Sequence, residues 1–145
     1  MTIINARRRV SAAAAMAVGL TLAAGGAGCA DRLPDQDLRI LSAAPAAKLS
    51  TSVLWSDYQT DRRGADKKYW GKAVEITGKV SSVLQDPPRI LFLQATEPAG
   101  GVEARLLDDR AAATLAASPV GDRVTLRCFC EGLQTKVILK SCIKP

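Results

Sequence analysis

The sequence contains no histidine among its 145 residues. That removes the commonest general base near neutral pH and the commonest protein ligand for zinc. A Gly-rich phosphate loop, a G-x-S-x-G nucleophile elbow and a metal-spaced carboxylate cluster are also missing. Glu103, Asp108 and Asp109 come nearest to paired acids, but an Asp at a helix start reads as a cap. Hydrolytic and transfer chemistry have little to work with, so the expectation is a non-catalytic protein without a cofactor or a metal. No apolar run has the length of an ordinary membrane span: the uncharged stretch from Ala12 to Ala24 is only as long as a signal-peptide core.

That short run follows Arg7, Arg8 and Arg9 and is itself followed by Ala27, Gly28 and Cys29, then by polar residues. A basic start, an apolar middle and small residues ending on a cysteine look like a bacterial lipobox. Residues 1–28 would then be a signal peptide, and Cys29 would be lipidated and open the mature chain. An ordinary cleaved secretory signal ends in the same small-residue run and is the alternative. Either way the chain is exported, and the favoured address is a membrane-anchored lipoprotein of the bacterial cell envelope.

Export changes the meaning of the charge. The full chain has 20 basic and 14 acidic residues, and losing Arg7, Arg8 and Arg9 leaves 17 against 14, a net of only +3. The excess that would suggest a polyanion partner belongs in large part to the signal. Arg62-Arg63 and Lys67-Lys68 are broken by Asp61 and Asp66 and read as a solvated helix face.

The mature part, 145 − 28 = 117 residues, suffices for one small domain. Residues 29–47, with Pro34 and Pro45 and no apolar period, read as a tether, and 48–145 as the folded domain. Leu54, Tyr58, Ala65 and Tyr69 fall on one helix face, with Ser50 or Thr51 as N-cap, a break at Gly64 and an end at Gly71. Its aromatic residues are expected to staple helix to sheet. Val74, Ile76 and Val80 then alternate around Gly78, and the phase shifts at Val83, as in a bent first strand shared by two halves of a barrel. Further strands are expected over 89–95, 102–107, 123–130 and 137–143, with an Ala-rich helix over 110–117 capped by Asp108 or Asp109. A mainly β chain with an N-terminal helical segment, five strands and a helix between strands three and four has the element order of the OB-fold, a five-stranded Greek-key barrel.

Three cysteines lie close together near the end: Cys128, Cys130 and Cys142. In an oxidising compartment a disulfide is the ordinary fate of such thiols. A three-thiolate Cu(I) or Zn(II) site is the sharper alternative, since Cys-x-Cys along a strand points both sulfurs to one face. A redox centre lacks the Cys-x-x-Cys spacing.

Tyr58, Ala65-Asp66, Tyr69 and Gly71-Lys72 lead into Val74–Val80, and Gly121, Cys130-Glu131-Gly132 and Val137–Cys142 close the chain. In this order the motifs resemble the tRNA-anticodon-binding-like OB-fold family, whose bacterial members are described as lipoproteins, over roughly residues 50–145. The resemblance implies the barrel and brings no catalytic residues. Its pattern implies a Cys130–Cys142 disulfide. Cys128 shares the strand face of Cys130, so Cys128–Cys142 stays open as the second pairing.

OB-folds often bind single strands through a basic groove with aromatic platforms. Here Phe92 is the sole aromatic on the strands that would face such a ligand, and the mature charge is low. If ligand binds there, Lys79, Arg89, Phe92 and Arg105 are the first candidates. The expected function is a lipid-anchored binding or assembly module whose partner is an unspecified envelope protein, peptide or glycan. A single-stranded oligonucleotide domain is the alternative.

Overall fold

The helical segment begins where a side chain can satisfy the first free amides. The computed structural model describes residues 36–96, 100–108 and 112–145, so the signal peptide and Cys29 lie outside the described residues. In helix α1 (Thr51–Thr60) the Ser50 hydroxyl accepts from the Val53 amide at 3.3 Å. Leu54 and Tyr58, four apart, are its buried pair. The chain then breaks at Asp61 rather than at Gly64. Asp61 is extended (φ −148°, ψ 90°), and its carboxylate accepts from the Gly64 amide at 3.0 Å, capping α2 (Arg62–Tyr69). A cap that restarts the helix outweighs the flexibility of a glycine inside its first turn. Ala65 and Tyr69 are buried, whereas Arg62, Arg63, Lys67 and Lys68 face solvent.

Apolar-rich runs build the sheet: β1 (Ala47–Ser50), β2 (Ala73–Leu84), β3 (Ile90–Gln94), β4 (Gly101–Leu106), β5 (Arg123–Leu133) and β6 (Val137–Ile143). The strand order β1-β2-β3-β4-β6-β5, with β2 also pairing β5, closes the last five strands into a barrel. Strand β2 serves both halves, as expected. Its first part pairs antiparallel with β5 (Ile76 opposite Leu126) and its second with β3, across a register shift between Val80 and Ser82. The bend therefore sits just before Val83. Val74, Ile76, Val80, Leu91, Leu93, Val102, Ala104, Leu106, Leu126 and Leu139 fill the interior. Each such Val or Leu contributes about 1.5–3 kcal/mol by leaving water. A short helix, α3 (Ala112–Ala116), precedes β5. Asp108 is exposed and pairs with Arg89 at 3.2 Å, and Asp109 lies outside the described residues.

The tether expectation needs shortening. Residues 36–47 pack on the barrel: Leu38–Leu41 form a 3-10 helix with Ile40 fully buried, and β1 lies parallel to β2. The Asp37 amide donates to Ser141 Oγ at 2.7 Å, and the Gln36 amide group donates to Leu106 O at 3.1 Å. One buried isoleucine and a strand of four residues leave no apolar period in the sequence.

The disulfide joins Cys128 to Cys142, leaving Cys130 as a buried free thiol. The Cys130–Cys142 pairing implied by the family pattern is thus replaced by the second one. Register is the reason. Cys130 stands opposite Leu139, and shifts between Arg127 and Phe129, next to Ser141 with its positive φ of 53°, bring Cys128 beside Cys142. Two of the three thiols of the metal alternative are held in this bond.

Candidate ligand-binding groove

The outer faces of β2, β3 and β4 form a shallow groove of about 430 Å³. Its floor follows from strand alternation. Leu91 and Leu93 point into the core, so Phe92 and Gln94 point out, half-buried. Register sets Lys79 opposite Gln94 and Phe92 opposite Glu103. At the bend in β2, Ser81 is exposed and its hydroxyl donates to Phe92 O at 2.9 Å.

Three loops wall the groove. The connection into β5 is tied to β2: the Gly121 amide donates to Val80 O at 2.8 Å, and the Val80 amide donates to Asp122 O at 2.8 Å. Gly121 has φ +98°, a conformation that a glycine adopts without strain. It holds Val120 at the rim, where that side chain is 68% exposed. On the other side the Gly100 amide closes a turn onto Thr96 O at 2.9 Å. The third wall is the turn between β5 and β6, which supplies Lys136. A Cβ on Gly101 would stand 3.3 Å from Lys136 Nζ, so the missing side chain lets this lysine lie over the strand.

Helix α1 fixes the same end of the barrel. Thr51 Oγ1 donates to Gln94 O at 2.6 Å, and the Ser52 hydroxyl donates to Ala95 O. The end of β3 beneath the groove is thereby held by two side chains of one helix.

The electrostatics separate the four sequence candidates. Lys79 and Phe92 line the groove. Arg89 is held by Asp108, and Arg105 by Glu103 at 2.9 Å, so these two are charge-matched by acids of their own face. Arg105 stands opposite Ile90, toward the far end of β3. Sequence reasoning missed Lys136, Gln94, Ser81 and Val120. Lys136 carried a usable signal, since it sits in the last hairpin turn of an OB order. Among the described residues Lys79 and Lys136 have no carboxylate partner. The groove can therefore present two cations and one aromatic face to an elongated, negatively charged or polar ligand.

The buried polar chemistry lies elsewhere. Cys130 Sγ is 3.4 Å from the Tyr58 hydroxyl inside the barrel, and burial pushes this thiol above its ordinary pKa. The Tyr69 hydroxyl donates to Asp57 Oδ2 at 2.7 Å, and burial with this bond pushes its pKa up to about 12. Neither group is placed as a nucleophile facing the groove.

Among solved structures, the chain is similar to a crystal structure named "putative nucleic acid-binding lipoprotein" from Klebsiella pneumoniae subsp. pneumoniae MGH 78578. Identity is 14%, the TM-score 0.55, and the match covers 74% of this chain and 95% of that one. At this identity the likeness concerns the fold. A structure named "putative aspartyl-tRNA synthetase" from Leishmania major Friedlin aligns at 12% identity and TM-score 0.46, over 66% of this chain and 20% of its own length. No curated protein sequence matches the chain. The tRNA_anti-like family model matches residues 6–143, nearly the whole sequence. The chain belongs to the tRNA_anti-like family, and its barrel is the OB-fold.

Proposed function

We propose that the protein is a non-catalytic OB-fold binding module, exported and held to the bacterial envelope by a lipid on Cys29. The groove over β2–β4 is its ligand face. The observation that carries this reading is the pair of lysines, Lys79 and Lys136, that line the groove with Phe92 and have no carboxylate partner among the described residues. The Klebsiella neighbour, itself named a lipoprotein, supports the address, and the sequence around Cys29 supports the anchor. An anionic segment of an envelope protein, peptide or glycan fits the groove's charge.

A second reading, a single-stranded oligonucleotide, is favoured by Phe92 and by the name that neighbour carries. Magnitude argues against it as the main ligand. One stacked base is worth about 1–3 kcal/mol, and two lysine–phosphate contacts give a salt slope of only about −1.4. Together these correspond to weak, salt-sensitive retention. The test places a photo-crosslinking side chain at Val120 of the full chain in native membranes. An adduct with an envelope component, diminished by Lys79→Ala with Lys136→Ala, is the expected result. Retention of a single-stranded oligonucleotide by the purified protein at physiological salt, lost in the same variant, would replace this reading with the second one.

A further inference from the structure

We infer that the face bearing Leu38, Leu41 and Trp70 lies against the phospholipid surface of the membrane in which Cys29 is anchored. The inference rests on the lipid-anchor reading above and adds an orientation to it.

Three large apolar side chains are exposed there: Leu38 at 49%, Leu41 at 54% and Trp70 at 62%. Leu38 and Leu41 are three apart in a 3-10 helix, and side chains at that spacing eclipse, so both project from one side. The opposite side is fixed to the barrel by Ile40, which is fully buried with Ala73, Leu107, Phe129 and Ile143. Trp70 stands across a small notch of about 160 Å³ that Asp37 and Arg39 also line, which puts it beside the 3-10 helix. Arg39 covers the Phe129 ring at 5.7 Å, with 84% of its side chain exposed. Arg39 is ion-paired with Asp37 at 2.6 Å, so the apolar side chains carry the match: an exposed indole next to the 3-10 helix that presents Leu38 and Leu41 suits a bilayer interface, where amphipathic rings sit at headgroup level.

Chain length selects the bilayer as the occupant. Gln36 already bonds to the barrel, and only residues 30–35 separate it from Cys29. Seven Cα–Cα steps reach at most about 25 Å when fully extended. The barrel therefore enters its fold at the edge of the headgroup layer, and the elements nearest that entry are the 3-10 helix and its neighbour Trp70. The groove residue Lys79 lies six residues further along β2 than Ala73, about 20 Å along the strand, so it stays open to a partner.

The test uses the full chain, isolated from native membranes and reconstituted into phosphatidylethanolamine–phosphatidylglycerol vesicles. There are two tryptophans, so Trp55→Phe leaves Trp70 as the sole reporter. In the acylated protein, phosphatidylcholine brominated high on its chains is expected to quench Trp70 at least twofold, with aqueous acrylamide quenching reduced. Leu38→Asp with Leu41→Asp should reverse both effects while circular dichroism stays unchanged. A tryptophan moved to the groove by Val120→Trp, in a chain lacking the other two, should remain unquenched by lipid. An acylated protein whose Trp70 ignores the brominated lipid overturns this orientation and leaves the anchor standing. A mature chain without acyl mass overturns both.

Discussion

The Tyr58 hydroxyl and the Cys130 sulfur lie 3.4 Å apart within the hydrophobic core. Register keeps Cys130 out of the disulfide, and this contact gives its thiol a buried polar neighbour. Burial is the main cause of the raised pKa of both groups, which favours their protonated forms at neutral pH. The native thiol should resist alkylation at neutral pH and react only after denaturation. Peptide mapping should place the label on Cys130 and find Cys128 linked to Cys142. Label on Cys128 would contradict the register described above. Cys130→Ala, which removes the sulfur beside Tyr58 and leaves a small cavity, should lower stability by about 1 kcal/mol in urea unfolding, and Cys130→Ser should lose less.

The two tyrosines are the only ones in the chain, so their titration can be read directly. Tyr69 is held protonated up to about 12 by burial and by its bond to Asp57, and Tyr58 is raised further by burial. An unfolded phenol ionises near 10. The folded pKa lies above the unfolded one, so the contribution is complete below pH 10 and is lost as pH rises toward 12. Tyrosinate absorbance should therefore lag in the native protein, and thermal stability should fall across that window. Tyr69→Phe should flatten the fall.

The Cys128–Cys142 bridge spans 14 residues. Closing a loop of that size in the unfolded chain corresponds to about 3 kcal/mol. Cys128→Ala with Cys142→Ala should lower stability by roughly that amount, seen as a reduced urea midpoint. A loss well below 1 kcal/mol would mean that the last hairpin holds itself together without the bond.

Gly78 is where helix α1 meets strand β2. A Cβ there would stand 2.5 Å from Thr51 Cγ2 and 2.8 Å from Thr51 Oγ1. Thr51 is buried and bonded to Gln94 O, so it cannot step aside without losing that bond. Gly78→Ala should cost about 1–3 kcal/mol, the usual range for overpacking. Thr51→Ala in the same chain should recover part of the loss. An unchanged melting temperature in the single variant would contradict the packing of α1 on the barrel.

The barrel order was legible in the sequence because its signals are local. Alternation over 74–80, the apolar runs over 89–95 and 137–139, the Asp86-Pro87-Pro88 turn and the Ala-rich helix each declare an element on their own. What escaped depends on tertiary partners. Strand β1 exists because β2 offers it a free edge, and the 3-10 helix exists because Ile40 finds a pocket beside Phe129. The pairing of Cys142 turned on register shifts around Cys128 and Ser141, which no side-chain pattern reports. Of the four ligand-face candidates, Lys79 and Phe92 line the groove, whereas Arg89 meets Asp108 across the fold and Arg105 meets Glu103 two residues back on its own strand.

The most direct test of the account is the intact mass of the mature protein from native cells, with thiol labelling under denaturing conditions before and after reduction. The account predicts a chain beginning at Cys29 with added acyl mass. One thiol, Cys130, would label before reduction and three after it. A chain retaining Met1, with all four cysteines labelled before reduction, would contradict the export, the anchor and the disulfide together.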